Sequence, residues 1–183
     1  MKQQAPNPIE MCEAATKRAH SVLAAVKPGQ LTRSTPCSDW NVQQLMDHFV
    51  DAAAHVTSVL SEKPQQAPQG KNTVERFDHS VASLLKEARR PGMLKKKVKG
   101  PMGEMTGSAM VVMFLSDMVV HSWDLAKATG QNTRIDSKLA EAAHAFYQGL
   151  PPTGIPGFFD PRHEVPASAS PQKKVLALTG RKA

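Results

Sequence analysis

Residues 107–130, GSAMVVMFLSDMVVHSWDLAKATG, form an almost uniformly apolar run with Asp117, His121 and Asp124 set into it and Lys127 near its end. A run of this length and composition predicts one long helix that is apolar on nearly every face and therefore belongs inside a bundle of other helices. Asp117 and His121 are four residues apart, so a helix stacks them on one face, and Asp124 follows on the next turn. Burying a carboxylate in such a run is costly unless a cation, a proton or a hydrogen-bond network compensates it. The segment is therefore where function is expected.

The rest of the chain supplies partners for this helix. Ile9, Cys12, Ala15, Ala19, Val22, Leu23 and Val26 recur at helical spacing, and Pro28-Gly29 closes that segment. A second helix is expected from about Asn41 to Ser61. Asn41 and Gln44 have the spacing of a capping box, and Trp40 is placed to staple onto Leu45. Residues 63–70, KPQQAPQG, read as a polar loop. A third helix, about Thr73 to Arg90, carries Phe77, Val81, Leu84, Leu85 and Ala88 on one stripe and stops at Pro91-Gly92. The stretch MLKKKVKGPMGEMTG is broken by glycine and proline and has room for a short extended piece. The apolar helix then runs from about Ser108 to Thr129, and a fifth from about Ser137 to Leu150. Residues 151–168 are irregular, and Ser170-Pro171 opens a short last helix ending near Gly180. The expected fold is all-α: a four-helix bundle with the most apolar helix innermost and additional short C-terminal helices.

With 183 residues, the chain is expected to form a single domain over residues 1–183. No apolar run reaches about 18 residues without a charge, so no membrane association is expected. The N-terminus lacks the continuous apolar core of a signal peptide. Cys12 and Cys37 are too few and too far apart for a disulfide scaffold or a CxxC zinc site, which points to a cytoplasmic protein with reduced thiols. The formal net charge of +7 is concentrated in residues 86–99 and in Lys173, Lys174, Arg181 and Lys182. Such charge either attracts an anion or is simply a solvated loop. No nucleic-acid motif accompanies it, and an aromatic content of 5% gives single-strand stacking little to work with, so nucleic acid is not an expected partner.

An acid four residues before a histidine occurs three times, at Asp51/His55, Glu75/His79 and Asp117/His121, so spacing alone decides nothing. Glu75 and His79 sit among Lys71, Arg76 and Asp78 on a polar face, and Asp51 and His55 lie on the polar side of the second helix. Only Asp117/His121 falls in a segment with almost no polar face. His48 lies at the edge of the second helix's apolar arc, where a side chain reaches across to a facing helix. Bundles build metal sites from such inward side chains. His48, Asp117 and His121 would supply two imidazoles and one carboxylate, a set suited to zinc, nickel, iron or manganese with open positions for water or substrate. His55 is the reserve ligand. The alternative stays open at this point: His121 is a hydrogen-bonded core residue paired with Asp117. Cys37 reads either as a nucleophile or as a small buried hydrophobe. Trp40 and Trp123 read as packing anchors, and Cys12 as a structural residue on the first helix's stripe.

The segments TPCSDWNVQQLMDHFV, residues 35–50, and SDMVVHSWDLAKATGQ, residues 116–131, resemble the two signature segments of the DinB-like superfamily, in particular the branch related to mycothiol-dependent maleylpyruvate isomerase. The closing SPQKKVLALTGR resembles the end of small uncharacterised members of that branch. The resemblance implies a four-helix bundle that binds a divalent metal, zinc or nickel foremost, through His48, Asp117 and His121. The isomerases carry Glu where this chain has the shorter Asp117. Asp124 matches a recurrent family acid and would orient a histidine or tie its helix to a neighbour. The resemblance further implies chemistry with a low-molecular-weight thiol, mycothiol or bacillithiol, in isomerisation or S-transfer on small molecules. It also implies a homodimer. A non-enzymatic metal- or ligand-binding stress protein, and a helical interaction protein with a structural Asp/His pair, are the competing expectations. The chain leaves no room for the isomerases' additional C-terminal domain, so a related activity is expected rather than maleylpyruvate isomerisation itself.

Overall fold

The computed structural model describes residues 7–37, 40–149, 151–154 and 160–182. Each helix begins where a short polar side chain caps it. Asn7 accepts from the Ile9 amide ahead of α1 (Pro8–Ala24), and Asn41 and Gln44 form the expected reciprocal capping box at the start of α2 (Val42–Ser61). Asn72 caps α3 (Thr73–Ala88) and Thr106 caps α4 (Gly107–Thr129), which ends on Gly130 in the left-handed conformation. Asp136 accepts from two amides at the start of α5 (Ser137–Tyr147), and Ser170 caps α6 (Pro171–Leu178).

The first four helices make the bundle. α1 packs on α4 and α3, α2 packs on α3 and α4, and α4 runs through the middle. α5 lies on α4 and α6 on α5, as an extra layer at one flank. The core is continuous, from Cys12, Ala19 and Val22 through Phe49, Phe77 and Phe114 to Leu139, Val175 and Leu176. Phe49 and Phe77 meet edge to face at 6.0 Å across the α2–α3 seam. By length and composition α4 could cross a membrane, but 78% of its most apolar window is buried inside the bundle. Its all-round hydrophobicity is thus accounted for by the helices around it.

The extended piece between α3 and α4 is an antiparallel hairpin of β1 (Lys97–Gly100) and β2 (Gly103–Thr106), with Val98 opposite Met105. Only Val98 is buried, and the lysines beside it face solvent. Gly107, where the hairpin enters α4, admits no side chain: a Cβ would lie 2.2 Å from the Met93 carbonyl oxygen. Several helix ends fall short of their expected positions. α1 closes on Ala25 and α3 on Arg89, one residue ahead of Arg90 and before Pro91-Gly92. α5 gives way at Gln148, and its expected end at Leu150, like part of the irregular segment 151–168, lies outside the described residues.

Candidate metal centre

Packing of α2 on α4 sets the geometry of the centre. His48 stands between the buried Leu45 and Phe49 side of α2 and its exposed face, so its ring leans over the seam. From α4, Asp117 and His121 rise one turn apart on the facing side. His48 Nε2 lies 2.9 Å from Asp117 Oδ2, and His121 Nε2 lies 3.3 Å from Asp117 Oδ1. One ligand atom from each of the three residues falls within 4.8 Å of the others. The His121 side chain is 4% exposed, whereas His48 and Asp117 are 25% and 23% exposed, so the centre is closed on one side and open to solvent on the other. The Trp40 ring covers the imidazoles, with its centroid 4.5 Å from that of His48 and 5.5 Å from that of His121.

A second layer of charge lies behind His121. Its Nδ1 is 3.0 Å from Asp124 Oδ2, and Asp124 also takes Arg181 Nη2 at 2.9 Å and Nε at 3.3 Å. Arg181 donates a third hydrogen bond, from Nη1 to the Thr179 carbonyl at 2.7 Å. Burial pushes the Asp117 carboxyl upward, but His121 and His48, by charge and hydrogen bond, outweigh it and hold Asp117 well below the usual carboxylate range. Burial acts to lower the His121 pKa, and Asp117 and Asp124 override it, raising the imidazole from 6.5 to about 9. Asp124 behaves as Asp117 does: burial raises its carboxyl, and the opposing pull of His121 and Arg181 leaves it lowered. The buried Tyr147 phenol on α5 is raised well above its ordinary value by burial first and then by the negative charge of Asp117.

The structure thus brings His48, Asp117, His121 and Asp124 together and leaves the other histidine pairs apart. Asp51 and the reserve ligand His55 are exposed on α2, outside the cluster. His79 is also exposed, with Nδ1 2.9 Å from the Gln69 carbonyl, and His20 pairs with Asp78 between α1 and α3 at 2.8 Å. Trp123 is a packing residue with Lys127 over its ring, as expected. Trp40 is more than a packing residue, because it walls the centre. Cys12 is fully buried and its thiol is pushed up to about 12 by that burial, which fits a structural role. Cys37 is only half-buried, so of its two readings the small, fully buried hydrophobe is corrected. Arg181, expected with the other basic residues of the tail to be solvated or to attract an anion, is instead buried against Asp124, and Tyr147 is not singled out by the sequence. Their only sequence signals are the Thr-Gly-Arg turn after α6 and a tyrosine on the apolar stripe of α5.

These two elements, a His/Asp/His convergence on the α2–α4 seam and an acid behind the second histidine, give the comparisons with known proteins their meaning. Residues 12–126 match the mycothiol maleylpyruvate isomerase N-terminal domain. Two uncharacterised proteins of Mycobacterium tuberculosis, from strains CDC 1551 and H37Rv, are each 31% identical over 166 residues, covering 88% of this chain and 90% of the relative. No solved structure gives a significant match. The matched region holds α2 and most of α4, including His48, Asp117, His121 and Asp124, and the chain belongs to the family of the mycothiol maleylpyruvate isomerase N-terminal domain.

Proposed function

We propose that this protein binds a divalent metal through His48 Nε2, a carboxylate oxygen of Asp117 and His121 Nε2, and that it acts on small molecules together with a low-molecular-weight thiol of the mycothiol or bacillithiol type. The observation that carries the proposal is the meeting of three ligand atoms from two helices within 4.8 Å. The donor set also fits a metal in a second way. Asp124 engages His121 Nδ1 and so leaves Nε2 facing the centre, the carboxylate–histidine arrangement that orients metal-binding imidazoles. Two nitrogens and one oxygen favour zinc or nickel over the hard oxygen-seeking cations.

A bound divalent cation would lower the pKa of a coordinated thiol or water and keep it deprotonated near neutral pH. The chain's own residues prepare the place. The edge beside His48 and Asp117 is reachable from solvent, the Trp40 ring packs beside both imidazoles, and Asp124 engages His121 Nδ1. The net charge of +7 favours an anionic thiol or a carboxylate substrate. The reading draws on the family's name for the thiol and on the side-chain geometry for the metal.

One observation favours a second reading. Asp117 already contacts both imidazoles, an arrangement that compensates its burial with no metal at all. Elemental analysis of the purified protein, beside the His48→Ala and His121→Ala variants, separates the two. Near-stoichiometric zinc or nickel that is lost in both variants is the expected result. A wild type that takes up no divalent metal from zinc- or nickel-supplemented buffer would leave the structural triad. Thiol-dependent turnover of a small electrophile would then distinguish an enzyme from a metal-storing relative.

A further inference from the structure

Behind the three proposed ligands lies the most deeply buried ion pair among the described residues. Asp124 has no exposed surface and Arg181 is 5% exposed. A buried pair of this kind is weak grounds for stability by itself, because desolvation offsets much of the attraction. Its geometry is more informative. Asp124 Oδ2 is shared between Arg181 Nη2 and His121 Nδ1, at 2.9 Å and 3.0 Å, so the guanidinium, the carboxylate and the imidazole form one chain that ends at the proposed metal centre.

Arg181 is delivered there by a specific turn. At the end of α6 the Arg181 amide donates to the Leu176 carbonyl at 2.8 Å and the Gly180 amide to Ala177 at 3.2 Å, the paired bonds of a Schellman motif. The motif needs a left-handed residue, and Gly180 supplies it with φ of +75°. Glycine is required twice over, since a Cβ at this position would lie 2.5 Å from Asp160 Cβ. The turn swings the chain back toward α4, where Lys127 Nζ holds the Lys182 carbonyl at 2.9 Å. Arg181 itself is gripped from both ends, by Asp124 and by the Thr179 carbonyl.

We infer that Arg181 is a positioning residue for the metal centre: from the turn that closes α6 it fixes Asp124, and Asp124 in turn fixes the His121 ring with Nδ1–H donated and Nε2 directed at the centre. The inference rests on the metal-binding reading above. It places control of ligand geometry in a segment beyond the 12–126 region that carries the ligands. A lysine would keep the charge but not the fork that holds both carboxylate oxygens.

Zinc and nickel affinities, measured by competition with a chromophoric chelator, test this on the wild type, Arg181→Met, Arg181→Lys and Gly180→Ala. The Asp124→Asn/Arg181→Met double variant is added because it leaves no orphaned charge to disturb folding. Long-range 1H–15N spectra of the metal-loaded proteins read the His121 tautomer, and circular dichroism reads helicity. Arg181→Met is expected to weaken metal binding about 10–100-fold, the range found when a partner behind a metal ligand is lost. Arg181→Lys should lose less, and the double variant should also bind weakly while remaining helical. The wild type should show the Nδ1–H tautomer, and the variants a mixture. If Arg181→Met does not fold, the lysine and double variants decide the matter. Wild-type affinity and an unmixed Nδ1–H tautomer in the folded variants would overturn the role of Arg181 alone. A wild type that binds neither metal would overturn the ligand assignment, and this inference with it.

Discussion

Asp117 touches two imidazoles at once, and the consequence can be read on His121. With the shared carboxylate in place, the imidazole of the metal-free protein is raised from 6.5 to about 9. Replacing Asp117 by Asn removes the charge and keeps the shape, so the His121 pKa should fall back toward its ordinary value. An NMR titration of the histidine ring signals checks this, and an unmoved pKa would mean that Asp124 alone sustains the shift. Asp124 makes the complementary case. Arg181→Met strands a carboxylate that has no exposed surface, and breaking such a pair costs about 3–5 kcal/mol. The Asp124→Asn/Arg181→Met double variant should be markedly less destabilised than the sum of the single changes. Urea melts of the chelator-treated proteins provide the comparison, and additive losses would show that the two groups do not act as a unit.

Among the elements, those bounded by their own local chemistry are the ones a reader of the sequence can place. α2 is fixed at its start by the Asn41/Gln44 box, and Asn41→Ala should lower stability by about 0.5–2 kcal/mol, measured by thermal or urea unfolding. α4 announces itself by its length and by Gly130, which ends it in the left-handed conformation. The junction before it is equally constrained. A methyl group at Gly107 would lie 2.2 Å from the Met93 carbonyl, and backbone cannot give way as a side chain can, so Gly107→Ala should destabilise more than the Asn41 change. The candidate ligands Asp117 and His121 are legible for a related reason, since a carboxylate and a histidine in a helix with no polar face demand an explanation. What stayed hidden depends on contacts between distant parts of the chain. Arg181 meets Asp124 across 57 residues, and no periodicity or spacing encodes that meeting. Trp40 looked like a core residue because an aromatic ring facing an imidazole and one facing a leucine look alike in sequence. The sequence before α4 predicts only an extended piece, because the two strands are four residues each and bury a single side chain, Val98.

For the molecule as a whole, the charged cluster sets how stability depends on pH. Asp117 and Asp124 are lowered in the fold, so they contribute stability above their unfolded value near 3.8 and lose it as the pH falls through their folded values. His121 works in the opposite sense: its contribution is complete below 6.5 and is lost as the pH rises through about 9, a change on the order of 3 kcal/mol. The metal-free protein should therefore be most stable between about pH 4 and 6.5, with a Tm that declines toward pH 9. A cation at the same nitrogen would take the place of the proton. Metal-loaded protein should hold its Tm on the alkaline side, with a gain of about 2.7 kcal/mol at a hundredfold excess of metal over Kd. Scanning calorimetry across that pH range, with and without chelator, tests both limbs. Parallel curves would mean that no metal binds at His121.

The order in which the ribosome makes the chain gives the buried pair a further meaning. Asp124 is synthesised 57 residues before the guanidinium that neutralises it. A nascent polypeptide can assemble α1 to α4 while still owing its interior a positive charge. During that interval, and again in any molecule trimmed by a protease at its C-terminal turn, the buried Asp124 has the His121 imidazole beside it but lacks the guanidinium that holds both its oxygens. Such incomplete chains are the form that quality-control proteases and chaperones would meet.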